Sequence, residues 1–159
     1  MVFEIRLADK NDTLTIVDIL NKVTLNLQEK NINQWVYPWE YEKLNTEMEN
    51  GNIYVLAVGQ MIIGTFSLKD IGNNIISHTN QLNNMYLYRI AILPEYQGKN
   101  IGLKIINFAC EESRKSRKIL YLDCWAGNEK LKSFYSKAGL HFCGDFPEEN
   151  YMISVFSYK

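Results

Sequence analysis

The chain reads Tyr88-Arg-Ile-Ala-Ile-Leu-Pro-Glu-Tyr-Gln-Gly-Lys-Asn-Ile-Gly102 where a predicted strand, ending at Pro94, passes through a short turn into an amphipathic helix. A helix start presents four free backbone N–H groups and a partial positive charge. Gly98 and Gly102 allow the backbone to approach a ligand closely, and Asn100 is a residue that tolerates a left-handed conformation. The turn therefore predicts an anion site suited to a pyrophosphate.

Two common nucleotide-binding motifs are excluded for this turn. A P-loop ends in Gly-Lys followed by Ser or Thr, whereas here Gly102 is followed by Leu103-Lys104. A dinucleotide fingerprint needs three glycines after the first strand of the fold, not two late in the chain. From these residues alone, an ordinary loop-to-helix start with two incidental glycines stays open.

Residue periodicity on both sides of the turn predicts a mixed α/β fold in a single domain, residues 1–159. Strand patterns cover 2–7, 53–58, 61–67, 85–93, 119–125, 140–143 and 151–158. Helical patterns run from Asn11 and Asp12 to Leu27, from near Pro38 to Asn50, and over about 99–117 and 128–138. Gly59-Gln60 suits a hairpin turn, and the Asn-rich segment 70–84 is predicted to be irregular.

Composition limits the classes of partner and compartment. The 159 residues carry a net charge of −1, so no electrostatic footprint for nucleic acid is present. No apolar run approaches the roughly 20 residues of a membrane span, and the N-terminus alternates like a strand rather than a signal peptide. Three scattered cysteines are too few for a disulfide framework or a zinc site. We expect a cytoplasmic protein without bound metal, nucleic-acid partner or membrane partner, and a homodimer stays open.

Two blocks of sequence occur in the order and spacing of a known family. The first is Gln97-Gly-Lys-Asn-Ile-Gly102, and the second is Leu122-Asp-Cys-Trp-Ala-Gly-Asn128 followed by Phe134-Tyr135 and Gly139-Leu140. They resemble the coenzyme A signature Gln/Arg-x-x-Gly-x-Gly/Ala and the later Asn and Phe-Tyr motif of the GNAT superfamily of N-acetyltransferases. The element Gln34-Trp35 and Tyr37-Pro38 is similar to one found in bacterial single-domain members.

The resemblance covers nearly the whole chain and implies the fold. It implies a mixed, mostly antiparallel central sheet flanked by about four helices and splayed at the strands 85–93 and 119–125. Two residues depart from the family pattern. Asn100 replaces the first glycine of the signature, which permits the turn but brings a side chain to the phosphates, and Leu140 replaces a Phe with an effect on packing only.

The resemblance also implies the activity and the coenzyme site. The activity is transfer of an acetyl group from acetyl-CoA to a primary amine by direct attack in a ternary complex. The residues that match the family's coenzyme-binding positions are Ile90, Ala91, Ile92, Gln97, Gly98, Lys99, Asn100, Ile101, Gly102, Asn128 and Tyr135. Ile90 and Ile92 would act through backbone groups, and a helix N-cap explains Asn128 nearly as well as a coenzyme contact.

Tyr135 and Tyr88 are the catalytic candidates. A phenol has a pKa near 10, so Tyr135 would stay protonated at neutral pH and donate to the departing thiolate, unless it is only a core aromatic beside Phe134. Tyr88 would order a water that takes the proton of the amine. Asp123 is a carboxylate that could accept a proton through water, although an ion pair or a strand-end hydrogen bond is the expected role. A covalent route through Cys124 is disfavoured, because no group nearby in sequence would lower the pKa of its thiol.

Trp35, Tyr37 and Tyr86 are the candidate acceptor-binding residues. In the family, the segment between the first two helices shapes the acceptor site, and here that segment holds aromatics with carboxylates nearby: Glu40, Glu42 and Glu47. Such a set suits an amine cation, so we expect a small amine, although the same residues could simply anchor and solvate a helix. A peptide or lysine acceptor, a catalytically silent coenzyme A-binding regulatory module, and an interaction domain stay open.

Overall fold

A computed structural model describes residues 2–71 and 84–159 of the chain. In these two ranges it contains seven strands and four α-helices. In chain order they are β1 (Phe3–Leu7), α1 (Thr13–Glu29), α2 (Tyr41–Glu49), β2 (Ile53–Val58), β3 (Met61–Ile71), β4 (Asn84–Ile92), α3 (Ile101–Lys115), β5 (Ile119–Trp125), α4 (Glu129–Lys137), β6 (His141–Glu148) and β7 (Tyr151–Tyr158). Two short 3₁₀ turns occupy Lys10–Asp12 and Pro94–Tyr96.

The strands form a mixed, mostly antiparallel sheet, as the sequence predicts. Their order in the sheet is β1-β2-β3-β4-β5-β7-β6. The pairs β1–β2, β2–β3, β5–β7 and β6–β7 are antiparallel, whereas β4 and β5 run parallel. The parallel pairing joins Asn84–Tyr86 to Ile119–Tyr121, and both strands continue beyond it. The chain therefore has the α/β fold class expected for it.

Contacts divide the chain into two compact units. The first comprises Met1–Leu68 with Arg89–Gly102, and the second comprises Lys69–Tyr88 with Leu103–Lys159. In the first unit, the apolar stripe of α1 packs with α2 and β2 in a core that includes Ile16, Leu20, Leu44, Val55 and Leu56. Each of these side chains is at most 1% exposed. Burial of this stripe explains why the helical spacing seen in the sequence folds as α1.

The second unit has its own buried cluster around Ile71, Tyr121 and Val155. Strands β6 and β7 form a long hairpin, which pairs with β5 through β7. Helix α4 contributes Tyr135, whose ring lies edge-on to Phe156 with centroids 5.3 Å apart. This cluster anchors the strands that carry several of the candidate site residues.

Two strands are longer than predicted, β3 through burial of an apolar side chain and β6 through its pairing with β7. Strand β3 continues through Asp70 to Ile71, which is 6% exposed in the second core. Strand β6 extends to Glu148 past a bulge between Phe142 and Gly144. The expectation of an irregular segment was thus wrong for residues 70, 71 and 84. The rest of that segment, including His78, lies outside the described residues.

Two helix starts also differ from the predictions. Helix α2 begins at Tyr41 rather than near Pro38, because Glu40 is extended and the backbone N–H of Trp39 donates to Asn21 Oδ1 at 2.8 Å. Helix α1 is preceded by the 3₁₀ turn, and Asp12 does not cap α1 with its side chain. The Asp12 carboxylate instead accepts from the Asp9 backbone N–H and pairs with Arg6 at 2.8 Å.

Candidate functional site

The turn between β4 and α3 has the backbone that the sequence predicts. After the 3₁₀ turn at Pro94–Tyr96, Gly98 has φ +80° and Asn100 has φ +62°. The Gln97 side chain donates through Nε2 to the Ile92 carbonyl oxygen at 2.9 Å, which ties the turn to the end of β4. Asn100 therefore takes the left-handed conformation that its residue type was predicted to tolerate.

The turn fits the pyrophosphate of a coenzyme. Residues 97–100 are all exposed, so their backbone groups are accessible. No acidic residue stands in the first turn of α3, so nothing there repels an anion at the helix start. The Lys99 ammonium lies 5.5 Å from the centre of the Tyr96 ring, a contact that keeps a cation beside the turn. Gln97, Gly98, Lys99 and Asn100 would hold the phosphates, largely through backbone N–H groups.

The end of β4 carries Ile90, Ala91 and Ile92, and a glycine in β3 lets its backbone come close. A Cβ atom added to Gly64 would lie 3.1 Å from the Ala91 carbonyl oxygen. Ala91 is buried, whereas Ile90 and Ile92 are partly exposed. Gly64 had no predicted role, although a glycine inside a strand pattern is a signal for close backbone approach.

Arg89 departs from strand geometry, and its side chain contacts two residues, Glu47 and Trp39, that were not predicted to be its partners. Its φ of +55° is uncommon for a residue with a side chain. The guanidinium nitrogen Nη1 lies 2.9 and 3.1 Å from the two carboxylate oxygens of Glu47, and the guanidinium carbon lies 5.0 Å from the Trp39 ring centre. Glu47 is therefore engaged with Arg89, and the sequence-based suggestion that it helps attract the acceptor amine loses support.

The aromatic segment between α1 and α2 divides into buried and exposed side chains. Trp35 packs against the first core and lies edge-on to Trp39, with ring centroids 5.7 Å apart. Trp39 is fixed in turn by a hydrogen bond from its indole N–H to Thr24 Oγ1 at 2.9 Å. Tyr37 is 46% exposed. Of the two predicted acceptor residues in this segment, Tyr37 is the more accessible and Trp35 the more rigidly packed.

In the second unit, Tyr86 and Asp123 form a hydrogen-bonded pair. The Tyr86 hydroxyl donates to Asp123 Oδ2 at 3.0 Å. Burial, followed by the charge of Asp123, raises the pKa of Tyr86 well above its ordinary value. Burial also raises the pKa of Asp123, and the hydrogen bond from Tyr86 lowers it in part. The hydrogen bond expected for Asp123 is confirmed, with a partner 37 residues away in the chain.

Tyr88 lies on the same side of β4 as Tyr86. The two rings are stacked with centroids 5.1 Å apart and planes 6° from parallel. The Lys69 ammonium lies 4.8 Å from the centre of the Tyr88 ring. The structure thus brings a predicted catalytic residue and a predicted acceptor-binding residue together on β4.

Asn128 and Tyr135 lie at the start and near the end of α4. Asn128 Oδ1 accepts a hydrogen bond from the Leu131 backbone N–H at 3.1 Å, so the side chain is the N-cap of the helix. Tyr135 is 4% exposed, and burial raises the pKa of its phenol above the ordinary value. The phenol therefore keeps its proton throughout the neutral range, as donation to a thiolate requires.

The thiol of Cys124 is unsuited to a covalent route. Cys124 is 4% exposed, and burial together with the charge of Asp123 raises its pKa to about 11. Because the thiolate is the reactive form, this thiol is almost entirely unreactive at neutral pH.

In residues 2–71 and 84–159, no group of three or more His, Cys, Asp and Glu side chains is arranged to hold a metal ion. Within the same ranges no helix has the length and apolar character needed to cross a membrane.

The chain is similar to one protein family and to several solved structures. The family model described as "Acetyltransferase (GNAT) family" matches residues 21–140. The uncharacterized N-acetyltransferase YesJ of Bacillus subtilis is 22% identical over 143 residues, which cover 84% of this chain and 78% of that protein. A GNAT-family acetyltransferase structure from Streptococcus agalactiae has a TM-score of 0.84 at 17% identity, covering 98% of this chain and 94% of that one. The PaiA N-acetyltransferase of Thermoplasma acidophilum, solved with coenzyme A, has a TM-score of 0.75 at 23% identity, covering 99% and 100%.

Proposed function

The chain belongs to the acetyltransferase (GNAT) family, and we propose that it transfers the acetyl group of acetyl-CoA directly to a primary amine within a ternary complex. Family membership makes the chain an acetyltransferase with acetyl-CoA as its co-substrate. We further propose a small-amine acceptor, the residues that bind and react, and direct transfer without an acyl-enzyme. Residues 1–159 would form one N-acetyltransferase domain. The observation that carries it is the exposed turn before α3, with left-handed Gly98 and Asn100 and no carboxylate at the helix start.

Acetyl-CoA supplies an activated acyl carbon and a thiolate leaving group. We assign its pyrophosphate to Gln97, Gly98, Lys99, Asn100, Ile101 and Gly102, and its acyl and pantetheine groups to the backbone of Ile90, Ala91 and Ile92. The close approach of Gly64 to Ala91 supports this assignment, because it keeps side chains of β3 away from that part of β4. Asn128 would contribute its Nδ2 group, since the N-cap occupies Oδ1 and fixes the orientation of the amide.

Tyr135 is assigned as the general acid. Its phenol stays protonated because burial raises its pKa. A positioned proton donor typically contributes about 10²–10⁴-fold to a rate. Tyr88 is assigned to order a water near the acceptor, in keeping with its stacked position beside Tyr86. The raised pKa of Cys124 supports direct transfer over a covalent acetyl-cysteine.

The acceptor is proposed to be a small amine that contacts Trp35, Tyr37 and Tyr86. Aromatic faces attract alkylammonium groups, and Tyr37 is accessible while Trp35 is rigidly packed. Tyr86 is hydrogen-bonded to Asp123, so a carboxylate lies next to one of the three proposed acceptor contacts. A large protein acceptor would need a broad surface rather than a few side chains of this kind.

The proposal is tested by measuring release of the coenzyme thiol with acetyl-CoA and a panel of alkylamines, diamines and short peptides. We expect release that depends on at least one small amine, with the acetylated amine identified by mass spectrometry. Acetylation of peptides alone would replace the small amine by a peptide acceptor. Binding of coenzyme A without acetylation of any amine would show a regulatory module instead.

A further inference from the structure

We infer that Asp123 is the proton acceptor for the amine substrate and that Tyr86 positions its carboxylate. This inference rests on the proposed transfer to an amine and supplies the general base that the transfer requires. An amine attacks a thioester only in its neutral form, whereas a free alkylamine has a pKa near 10.4 and is protonated at neutral pH. The protein must therefore offer a group that takes up a proton next to the acceptor.

The position of Asp123 in β5 suits this role. The parallel pairing of β4 with β5 ends at the pair Tyr86–Tyr121, two residues before Asp123 in the chain. Along β5, Asp123 pairs on its other side with Val155 of β7. Asp123 thus lies in the part of β5 beyond its pairing with β4, and we place the amine beside its carboxylate there.

Asp123 is a half-buried carboxylate whose direct partner is neutral. Its Oδ2 accepts the hydrogen bond from the Tyr86 hydroxyl at 3.0 Å, and none of the salt bridges in residues 2–71 and 84–159 includes it. A buried carboxylate without a cation carries a high desolvation cost, which binding of an ammonium group would offset. Since Tyr86 holds Oδ2, the other oxygen, Oδ1, is the one assigned to the substrate.

The electrostatic surroundings of Asp123 favour a cation. The titratable groups that interact with it are Tyr86 of β4, Cys124 of β5, Tyr135 of α4, Glu148 of β6 and Tyr151 of β7. None of these groups is positively charged, and Glu148 adds a second negative charge. Burial, with a smaller contribution from Glu148, raises the pKa of Asp123 above that of an ordinary aspartate. The carboxylate is therefore a better base than an exposed one, and an approaching ammonium group favours its ionised form.

The proposed steps balance in protons and bonds. The substrate ammonium gives one proton to Asp123 Oδ1, and the neutral nitrogen forms the C–N bond while the C–S bond breaks. Tyr135 gives its proton to the departing sulfur and recovers one from the new amide nitrogen. Asp123 then releases its proton to solvent. The sum is ammonium plus thioester giving amide, thiol and one proton, with no oxidant or further reactant.

The inference is tested with Asp123→Asn, which keeps the shape of the side chain and removes its basicity. Asp18→Asn, on the exposed face of α1, is the matched control. With saturating acetyl-CoA and the amine found active for the wild type, we expect kcat to fall about 10²-fold or more in Asp123→Asn and to stay unchanged in the control. Thermal stabilisation by acetyl-CoA should be equal in all three proteins. A kcat of Asp123→Asn close to that of the wild type would overturn the inference and leave the proposed function standing.

A second variant tests the positioning role of Tyr86. The Tyr86 hydrogen bond lowers the pKa of Asp123, so Tyr86→Phe should raise that pKa. Activity requires ionised Asp123 and is lost as the pH falls through its pKa, so the acidic limb of the kcat profile should move to higher pH. A merely structural role would lower stability or kcat at every pH without moving the limb, and that result would exclude Tyr86 as the positioning residue.

Direct observation of the carboxylate separates failure of the inference from failure of the proposed function. In the 13C NMR spectrum of protein with 13C-labelled aspartate, the Asp123 carboxyl resonance is identified because it is missing from the spectrum of Asp123→Asn. We expect this resonance to shift on addition of n-butylamine in the presence of coenzyme A. If no amine is acetylated and the resonance shifts, the amine site stands and the proposed function fails. If no amine is acetylated and the resonance does not respond, both fail.

Discussion

Arg89 and Glu47 form an ion pair that joins β4 to α2, with Nη1 at 2.9 and 3.1 Å from the carboxylate oxygens. The two side chains are 14% and 20% exposed, so the pair is mostly shielded from water. Arg89 is also the residue of β4 with a left-handed φ, immediately before Ile90. The pair therefore holds an unusual backbone in place directly before the residues assigned to the acetyl group.

Glu47→Gln should lower the stability of the fold. The amide keeps the size of the carboxylate but loses its charge, so the partly buried Arg89 guanidinium would lose this ion pair. We expect a loss of about 1–3 kcal/mol in the free energy of unfolding, measured by urea denaturation. Glu111→Gln, which breaks the exposed pair with Arg114, is the control and should cost less than about 1 kcal/mol. Equal costs for the two variants would show that the buried pair has no special role.

Gly98→Ala should weaken coenzyme binding more than it weakens the fold. An added Cβ would meet nothing within 4 Å, so the penalty comes from φ +80° alone and amounts to about 1–2 kcal/mol. Gly51 is a matched position, with φ +75° and an equally open surrounding, at the end of α2. Both alanine variants should lose similar stability, and only Gly98→Ala should lose affinity for acetyl-CoA in calorimetric titration. A similar affinity in both variants would remove the turn from the coenzyme site.

Tyr135→Phe should abolish most of the activity and little of the stability. The ring contact with Phe156 at 5.3 Å is retained, whereas the donated proton is lost. We expect kcat to fall about 10²–10⁴-fold with unchanged binding of acetyl-CoA. Because the pKa of Tyr135 is raised by burial, the wild type should show no loss of activity from Tyr135 ionisation as the pH rises to about 10, the ordinary phenol value. An alkaline limb well below that pH that disappears in Tyr135→Phe would contradict the burial argument.

Asn128 can be tested for its two roles separately. Asn128→Ala removes the cap on Leu131 and should cost about 1 kcal/mol of stability. Asn128→Asp keeps a capping oxygen and places a negative charge at a helix start, so stability should be retained. The same variant lacks the Nδ2 donor and should bind acetyl-CoA more weakly. If Asn128→Asp binds acetyl-CoA as the wild type does, the side chain is only a cap.

Local patterns predicted most of the fold. Short apolar runs predicted the bounds of β2 and β7 as the structure has them, and both strands bury consecutive residues. The predicted strand 140–143 was too short, because Gly144 and Pro147 are residue types that commonly end strands. In the structure Gly144 lies at a bulge, and Pro147 lies in β6 at the edge of the sheet. Both residues are tolerated there, because an edge strand need not donate from every N–H.

The candidate site was predictable where it depends on backbone and not where it depends on distant partners. The left-handed conformation of Asn100 followed from its residue type, and the N-cap at Asn128 from its place before a helical pattern. The Tyr86–Asp123 hydrogen bond joins residues 37 apart, and no local pattern encodes that distance. Tertiary contacts of this kind determine that Asp123 bonds to Tyr86 and that Glu47 pairs with Arg89.

Thermal unfolding with and without coenzyme tests the central claim, binding of acetyl-CoA for acyl transfer, most directly. The protein is heated alone and with acetyl-CoA, coenzyme A or ATP, each at the same concentration. We predict that acetyl-CoA and coenzyme A raise the melting temperature, by an amount equal to about 2.7 kcal/mol at 100 times the dissociation constant, and that ATP does not. Failure of both coenzymes to shift the transition would contradict the account, and the turn at residues 97–102 would then be scaffold only.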